Sequence, residues 1–299
     1  MLEHQTYDGH VSIHDDAMAA DLGFSGAPIE GPTHFSQFIP LLHEVFGNAW
    51  FETGCISVHY QNMVVEGEEV RAFVEQTATE NQCAIWAEKK DGTPVLTGTA
   101  SISTPAQPEH PPTELDKRQQ KLRPSNQLVI LSDLQVGQKG QAAEHVIMDF
   151  DQHMGDLYPF SLNNKLERIT EPSPWYTQAE GNHSPWGKAI IPFEMISVLT
   201  QYSANQAGFH SKGPAVGLFA DQEIKLIDGP LFVNHPYRLE REIVALSESR
   251  RVESQWTLTH VYDGHTNKKV AQCLLNHSMV KASYAPYEAE AKALGKALD

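Results

Sequence analysis

"CISVHYQNMVVEGEEVRAFVEQ", residues 55–76, has a counterpart in "FADQEIKLIDGPLFVNHPYRLEREI", residues 219–243, and together they decide the fold. Each alternates apolar and polar residues as a half-buried strand does, breaks at Gly67 or Gly229, and resumes at Val70-Arg71 or Tyr237-Arg238. The agreement continues downstream. "CAIWAEKKDGTPVLTGTASIS" and "ESQWTLTHVYDGHTNKKVAQCLLNHSMV" each read as two strands around Asp91-Gly92 or Asp263-Gly264, with Trp86 and Trp256 before the turns. Asp-Gly between alternating runs marks a hairpin, because the turn favours positive φ.

Upstream of each set of strands lies one helical pattern. Phe35, Phe38, Ile39, Leu42, Val45 and Phe46 keep the helical period in the first half, and Met195, Ile196, Leu199 and Tyr202 keep it in the second. Pro40 interrupts the first pattern and predicts a kink there. Helix followed by antiparallel strands, given twice, places the chain in the α+β class.

Between the halves, residues 105–127 combine prolines with charge and read as a linker crossing the surface. "LSDLQVGQ" from Leu131 then supplies a turn, and "AAEHVIMDF" a strand. The expected division is an N-terminal half at 1–104, the linker, a C-terminal half at 128–285 with an insertion near 161–182, and a tail at 286–299.

The 299 residues carry a formal charge of −16. That balance argues against nucleic acid or an anionic membrane as partner, since both would be repelled over most of the surface. Lys121 in "KLRP" and the pair Arg250 and Arg251 are the best basic clusters, and they suit solvated faces. Cys55, Cys83 and Cys273 are odd in number and show no C-x-x-C spacing, so they read as reduced, buried thiols. "MLEHQTYDGH" at the start has neither a basic region nor an apolar core, and no apolar run reaches membrane-spanning length; a cytoplasmic protein is expected. His145, His153, His235 and His277 have no metal-ligand spacing, so neither a metal nor another cofactor is expected.

One long helix wrapped by an antiparallel sheet, present twice in one chain, resembles the double (tandem) hotdog fold. Three motifs extend that resemblance. "IHDDAMAADLGFSGAPIEGPT" is similar to the segment of MaoC-like or R-specific enoyl hydratases in which a histidine precedes small residues, then Pro-Ile, then a glycine at the helix start; His14, Pro28-Ile29 and Gly31 match. The aspartate that this family places five residues before the histidine is Gly9 here, and the His-Gly pair before the helix is reduced to Glu30-Gly31. "MGDLYPFS" from Met154 keeps the family's Gly-Asp-x-x-Pro pattern at Gly155, Asp156 and Pro159, with Ser161 where the histidine would stand. His183, Gly187 and Pro192 form H-x-x-x-G-x-x-x-x-P, which resembles the motif of hotdog dehydratases whose histidine removes the proton α to a thioester.

The resemblance implies a hydratase or dehydratase of acyl thioesters, carried by coenzyme A or acyl carrier protein. A non-catalytic acyl-binding protein and a thioesterase stand as alternatives. His14 or His183 would take the proton, with Asp156 as acid-base partner. Backbone N–H groups at a helix start near Gly31, or near Gly187 and Pro192, would polarise the thioester carbonyl. Thr33 and His34 either bind substrate or cap the helix, and Glu194 is either the base or nucleophile of a thioesterase-like site or a favourable charge in a first helical turn. Trp175, with its neighbouring prolines and Tyr176, would wall the acyl channel. Tandem hotdogs also pair further, so a homo-oligomer is expected.

Overall fold

The computed structural model describes residues 26–123, 125 and 127–296. The first repeat forms β1 (Gly54–Tyr60), β2 (Val70–Gln76), β3 (Gln82–Lys89) and β4 (Pro94–Ile102). The second adds a short β5 (Ala143–Val146) and then β6 (Gly217–Leu226), β7 (Tyr237–Glu248), β8 (Val252–Asp263) and β9 (Lys269–Val280). These strands make one antiparallel sheet in the order β2-β3-β4-β1-β6-β9-β8-β7-β5. Outward from its centre each half follows the same path, 1-4-3-2 on one side and 6-9-8-7 on the other. The seam is β1 against β6, with Cys55 opposite Lys225, Ser57 opposite Glu223 and His59 opposite Asp221.

The two Asp-Gly turns close by different means. Gly92 takes φ +84°, while Asp91 Oδ1 accepts the Thr93 N–H at 3.0 Å. In the second turn Asp263 Oδ1 accepts the N–H groups of His265 and Thr266 at 2.9 and 2.7 Å, and the left-handed residue is Asn267. Gly264 is needed there for space, because a Cβ would lie 2.7 Å from the Pro236 carbonyl oxygen.

A 3-10 turn at Gly31–His34 leads into α1 (Phe35–Phe46), which buries Phe35, Phe38, Ile39 and Leu42. Pro40 is exposed, so its ring meets water, and the helix continues to Phe46 without ending there. Gly47 at φ +59° then turns the chain into α2 (Ala49–Thr53). Between the halves lies α3 (Glu114–Gln119), opened by a capping box between Thr113 and Asp116. The composition of this stretch suggests an exposed crossing, yet Leu115 is fully buried beside Trp256 and Leu274, and its N–H donates to Ser57 Oγ at 3.0 Å. The connection thus covers the middle of the sheet.

Residues 161–182 contribute α4 (Leu162–Leu166), and α5 (Phe193–Gln201) follows. Periodicity predicts an amphipathic α5, but every residue from Phe193 to Thr200 is buried, because α1, the Gly31–His34 turn and β6 all pack on it. Trp50 and Phe193 stack with ring centres 5.0 Å apart, and one core takes residues from both halves. No helix of the described residues is long and apolar enough to cross a membrane.

A second cluster, under α6 (Tyr287–Ala293), is organised by one acid. Glu253 is fully buried and accepts the N–H groups of Val129, Ile130 and Leu131 at 2.8, 2.9 and 3.1 Å, and the Tyr287 hydroxyl at 3.1 Å. Glu253→Ala would leave three buried N–H groups without an acceptor, and a loss of roughly 3–5 kcal/mol is expected. The urea midpoint of the variant measures it; a change below about 1 kcal/mol would mean that water replaces the carboxylate.

Candidate functional site

The start of α1 is built by Pro32 and by the Thr33 N–H, which donates to the Glu30 carbonyl at 3.0 Å. No side chain caps either the 3-10 turn or α1. Thr33 therefore does not act as an N-cap: its hydroxyl accepts a hydrogen bond from Lys165 Nζ at 3.0 Å. The same ammonium donates to Glu30 Oε2 at 2.9 Å, and both charged side chains are buried. Lys165 reaches this place because Ser161 and Asn164 form a capping box that starts α4. Ser161, at the position where the enoyl-hydratase pattern has a histidine, is thus occupied with holding a helix.

Glu194, in the first turn of α5, is the second acid of this group and is 1% exposed. Neither of its carboxylate oxygens makes a hydrogen bond of normal geometry to a described residue. Burial raises its pKa to about 7; the Lys165 charge opposes the rise, Glu30 adds to it, and the Ser36 hydroxyl lowers it again. For Lys165, burial disfavours the charge, but Glu30 and Glu194 outweigh it and the net direction is up. Two carboxylates therefore share one lysine, and one of them is held close to half-protonation at neutral pH.

This cluster borders a cavity of about 720 Å³ whose wall includes Gly31, Thr33, His34, Lys165 and Glu194. Burial brings His34 down to about 4, so its ring is neutral, with Nδ1 3.2 Å from Gln37 Oε1. The face of Gly31 is taken by Tyr60: a Cβ there would stand 3.0 Å from the phenol ring. Tyr60 in turn donates to Gln222 at 3.2 Å, and Gln222 to Ser197 at 2.7 Å, a chain that joins β1, β6 and α5 behind the cavity. His277 of β9 also lines the cavity and is also neutral, its pKa brought to about 4 by burial. Of the expected substrate-binding residues, the structure brings Gly31, Thr33, His34 and Glu194 together.

The other expected residues lie elsewhere. His183 is on a 3-10 turn with its ring 70% exposed and Nδ1 2.9 Å from Glu180, away from the cavity. Gly187, at φ +69°, closes the following surface turn by donating to the Ser184 carbonyl at 2.9 Å. Pro192 is buried at the N-cap position of α5 and outside the cavity lining. The His183, Gly187 and Pro192 spacing is thus that of a surface turn feeding a buried helix. Asp156 is exposed in a turn, while its neighbours Leu157 and Tyr158 face the cavity. Trp175 belongs to an edge-on aromatic group with His43, Phe51 and Trp186, at ring distances of 5.5, 5.5 and 5.6 Å, that closes the outside of the core. His14 lies outside the described residues.

Lys165 belongs to no motif, and Glu30 stands in the Glu30-Gly31 pair without a role that spacing alone assigns. A capping signature, Ser161-x-x-Asn164, opens a helix in which Lys165 stands between Leu162 and Leu166, and that position in an apolar stripe is the available signal.

Among solved structures the chain is similar to a putative MaoC domain protein dehydratase from Chloroflexus aurantiacus J-10-fl, at 12% identity over 91% of this chain and 88% of that one, with a TM-score of 0.53. It is also similar to a conserved hypothetical protein from Mycobacterium tuberculosis described as a double hotdog, at 10% identity over 90% and 87% of the two chains, with a TM-score of 0.50. This likeness shows the fold: the chain is a double hotdog. No protein-family profile matches it, and no curated protein does.

The raised pKa of Glu194 has a consequence for stability. Its native value of about 7 exceeds the ordinary 4.5, so the folded state favours the neutral acid. That contribution is complete below about 4.5 and is lost as pH rises through about 7. Measured against Glu194→Gln, wild-type stability is expected to fall by roughly 3 kcal/mol across this interval and then level off. Denaturant titrations of both proteins at several pH values check it; parallel curves would contradict the assignment.

Proposed function

We propose that this double hotdog binds an acyl thioester in the cavity and catalyses reversible addition of water to its enoyl form, with Glu194 as the acid-base group. The observation that carries the reading is the buried, unpartnered Glu194 carboxylate, with a pKa of about 7, beside the Lys165 ammonium on the wall of one cavity. In hydration, the Glu194 carboxylate takes a proton from water as its oxygen bonds to the β carbon. The electron pair of the double bond moves toward the thioester oxygen, where negative charge collects. Two of the three Lys165 donors are held by Glu30 and Thr33; the third, without a partner among the described residues, supplies a hydrogen bond to that oxygen. The proton on Glu194 then passes to the α carbon and restores the carboxylate. Dehydration runs through the same steps in reverse.

The wall argues for chemistry over simple storage. An acyl-binding cavity needs only apolar lining, whereas burying two acids and a lysine together is costly unless the charges are used. The chemistry assigned by motif to His14, His183 and Asp156 passes in this reading to Glu194 and Lys165.

Incubation with crotonyl-coenzyme A, following both loss of enoyl absorbance and release of free thiol, separates the alternatives. Loss of absorbance without thiol is the expected result; thiol release would make the protein a thioesterase, and neither signal would leave a binding protein. Glu194→Gln should lower the hydration rate by about a hundredfold or more. The wild-type kcat/KM should rise with pH up to about 7 and then plateau, because the carboxylate is the form that accepts the proton of water. Lys165→Met should move that rise to higher pH, since the cation that favours ionised Glu194 is gone.

A further inference from the structure

At the other end of α5 the cavity wall holds Arg241 of β7. Strand alternation turns it inward between Leu239 and Ile243, and it is 3% exposed. Its Nη2 donates to the Thr200 carbonyl at 2.7 Å and to the Ser203 hydroxyl at 2.9 Å, which ends the helix. That use occupies one nitrogen. Among the described residues, Nε and Nη1 are buried with no hydrogen-bond partner and Arg241 belongs to none of the ion pairs. Burial lowers its pKa only to about 10, so it is charged at neutral pH. A helix terminus could be closed by a neutral side chain; a buried cation with idle donors beside a cavity is the usual form of an anion site.

The surroundings agree. Gln201 and Asn205 lie on the same stretch of chain as Thr200 and Ser203, and Thr257 is two residues from Thr259, the cross-strand partner of Arg241; all three line the cavity. Six residues of α5 separate Glu194 from Thr200, or about 9 Å along the helix. An anion at Arg241 therefore sits a chain's length from the reacting carbons.

We propose that Arg241 binds a carboxylate at the far end of the acyl chain, so that the substrates are ω-carboxyacyl thioesters. The inference rests on the reading of the cavity as an acyl-thioester site. It is tested by calorimetric titration of the full chain with octanoyl-coenzyme A, with its ω-carboxylated counterpart suberyl-coenzyme A, and with free suberate. The suberyl ester should bind about tenfold or more tightly than the octanoyl ester. Arg241→Met should abolish that preference while leaving octanoyl binding in place, and Arg241→Lys, which keeps the charge, should retain part of it. Equal affinity of the two esters for the wild type overturns the proposal, because the idle donors are then satisfied by water. Failure of both esters to bind overturns the thioester reading instead; suberate then decides, and the carboxylate site stands only if suberate binds the wild type and not Arg241→Met.

Discussion

Asp221 holds the centre of the molecule. It lies on β6 at the seam, is 1% exposed, and accepts from His59 Nδ1 of β1 at 2.8 Å and from Asn276 Nδ2 of β9 at 2.7 Å. Arg118 of α3 makes an ion contact to it at 2.6 Å. One carboxylate thus ties both halves and the connecting segment to the same point. Because β1 and β6 pair there, two sheets that would each have an open edge become one, and α1 and α5 fall side by side in one layer against it. The cavity follows from that packing, since its wall is drawn from both halves.

Within this frame the charges near Lys165 explain one another. The Lys165–Glu30 pair alone would be a closed, buried ion pair of the kind that contributes little net stability, although breaking it by removing one partner costs several kcal/mol. Glu194 makes the group unbalanced. Burial drives its pKa upward more effectively than the lysine can pull it down, and the Glu30 carboxylate, which already shares that cation, adds to the rise. The segment that carries Lys165 therefore brings a charge to the cavity wall as well as covering it.

The fold was legible because its signals are local. Alternation around Gly67 and Gly229, two Asp-Gly turns and two helical periods each depend on a few neighbouring residues, and the strands and helices formed where those patterns stand. The site depends on distant residues: Glu30 lies more than a hundred positions before Lys165 and Glu194, which are themselves on different helices, and the three are joined only by packing. The spacing at His183 has a structural origin as well, since a glycine with positive φ and a proline before a helix are what a surface turn requires anyway. Arg241 carried a readable trace. In "YRLEREI" it occupies the inward phase shared by Tyr237, Leu239 and Ile243, and a charge in an apolar phase is a question that alternation alone can raise.

Helix α5 sets the charge state at both ends of the cavity. Its N-terminal N–H groups favour an anion and its C-terminal carbonyls a cation, each within about one turn. Glu194 in the first turn is favoured as an anion by these N–H groups as well as by Lys165 although burial opposes it, and Arg241 at the Thr200 carbonyl is charged although it pairs with no carboxylate among the described residues. Burying Phe193 to Thr200 on every side strengthens both effects, because bulk solvent is kept from the body of the helix and screens them less. A polar α5 on the surface would have lost this property; a helix with a strictly one-sided apolar face would have left its ends in solvent. The all-round burial that departs from the amphipathic pattern is thus the feature that lets one short helix carry an acid with a raised pKa at one end and, at the other, an arginine with no counterion among the described residues.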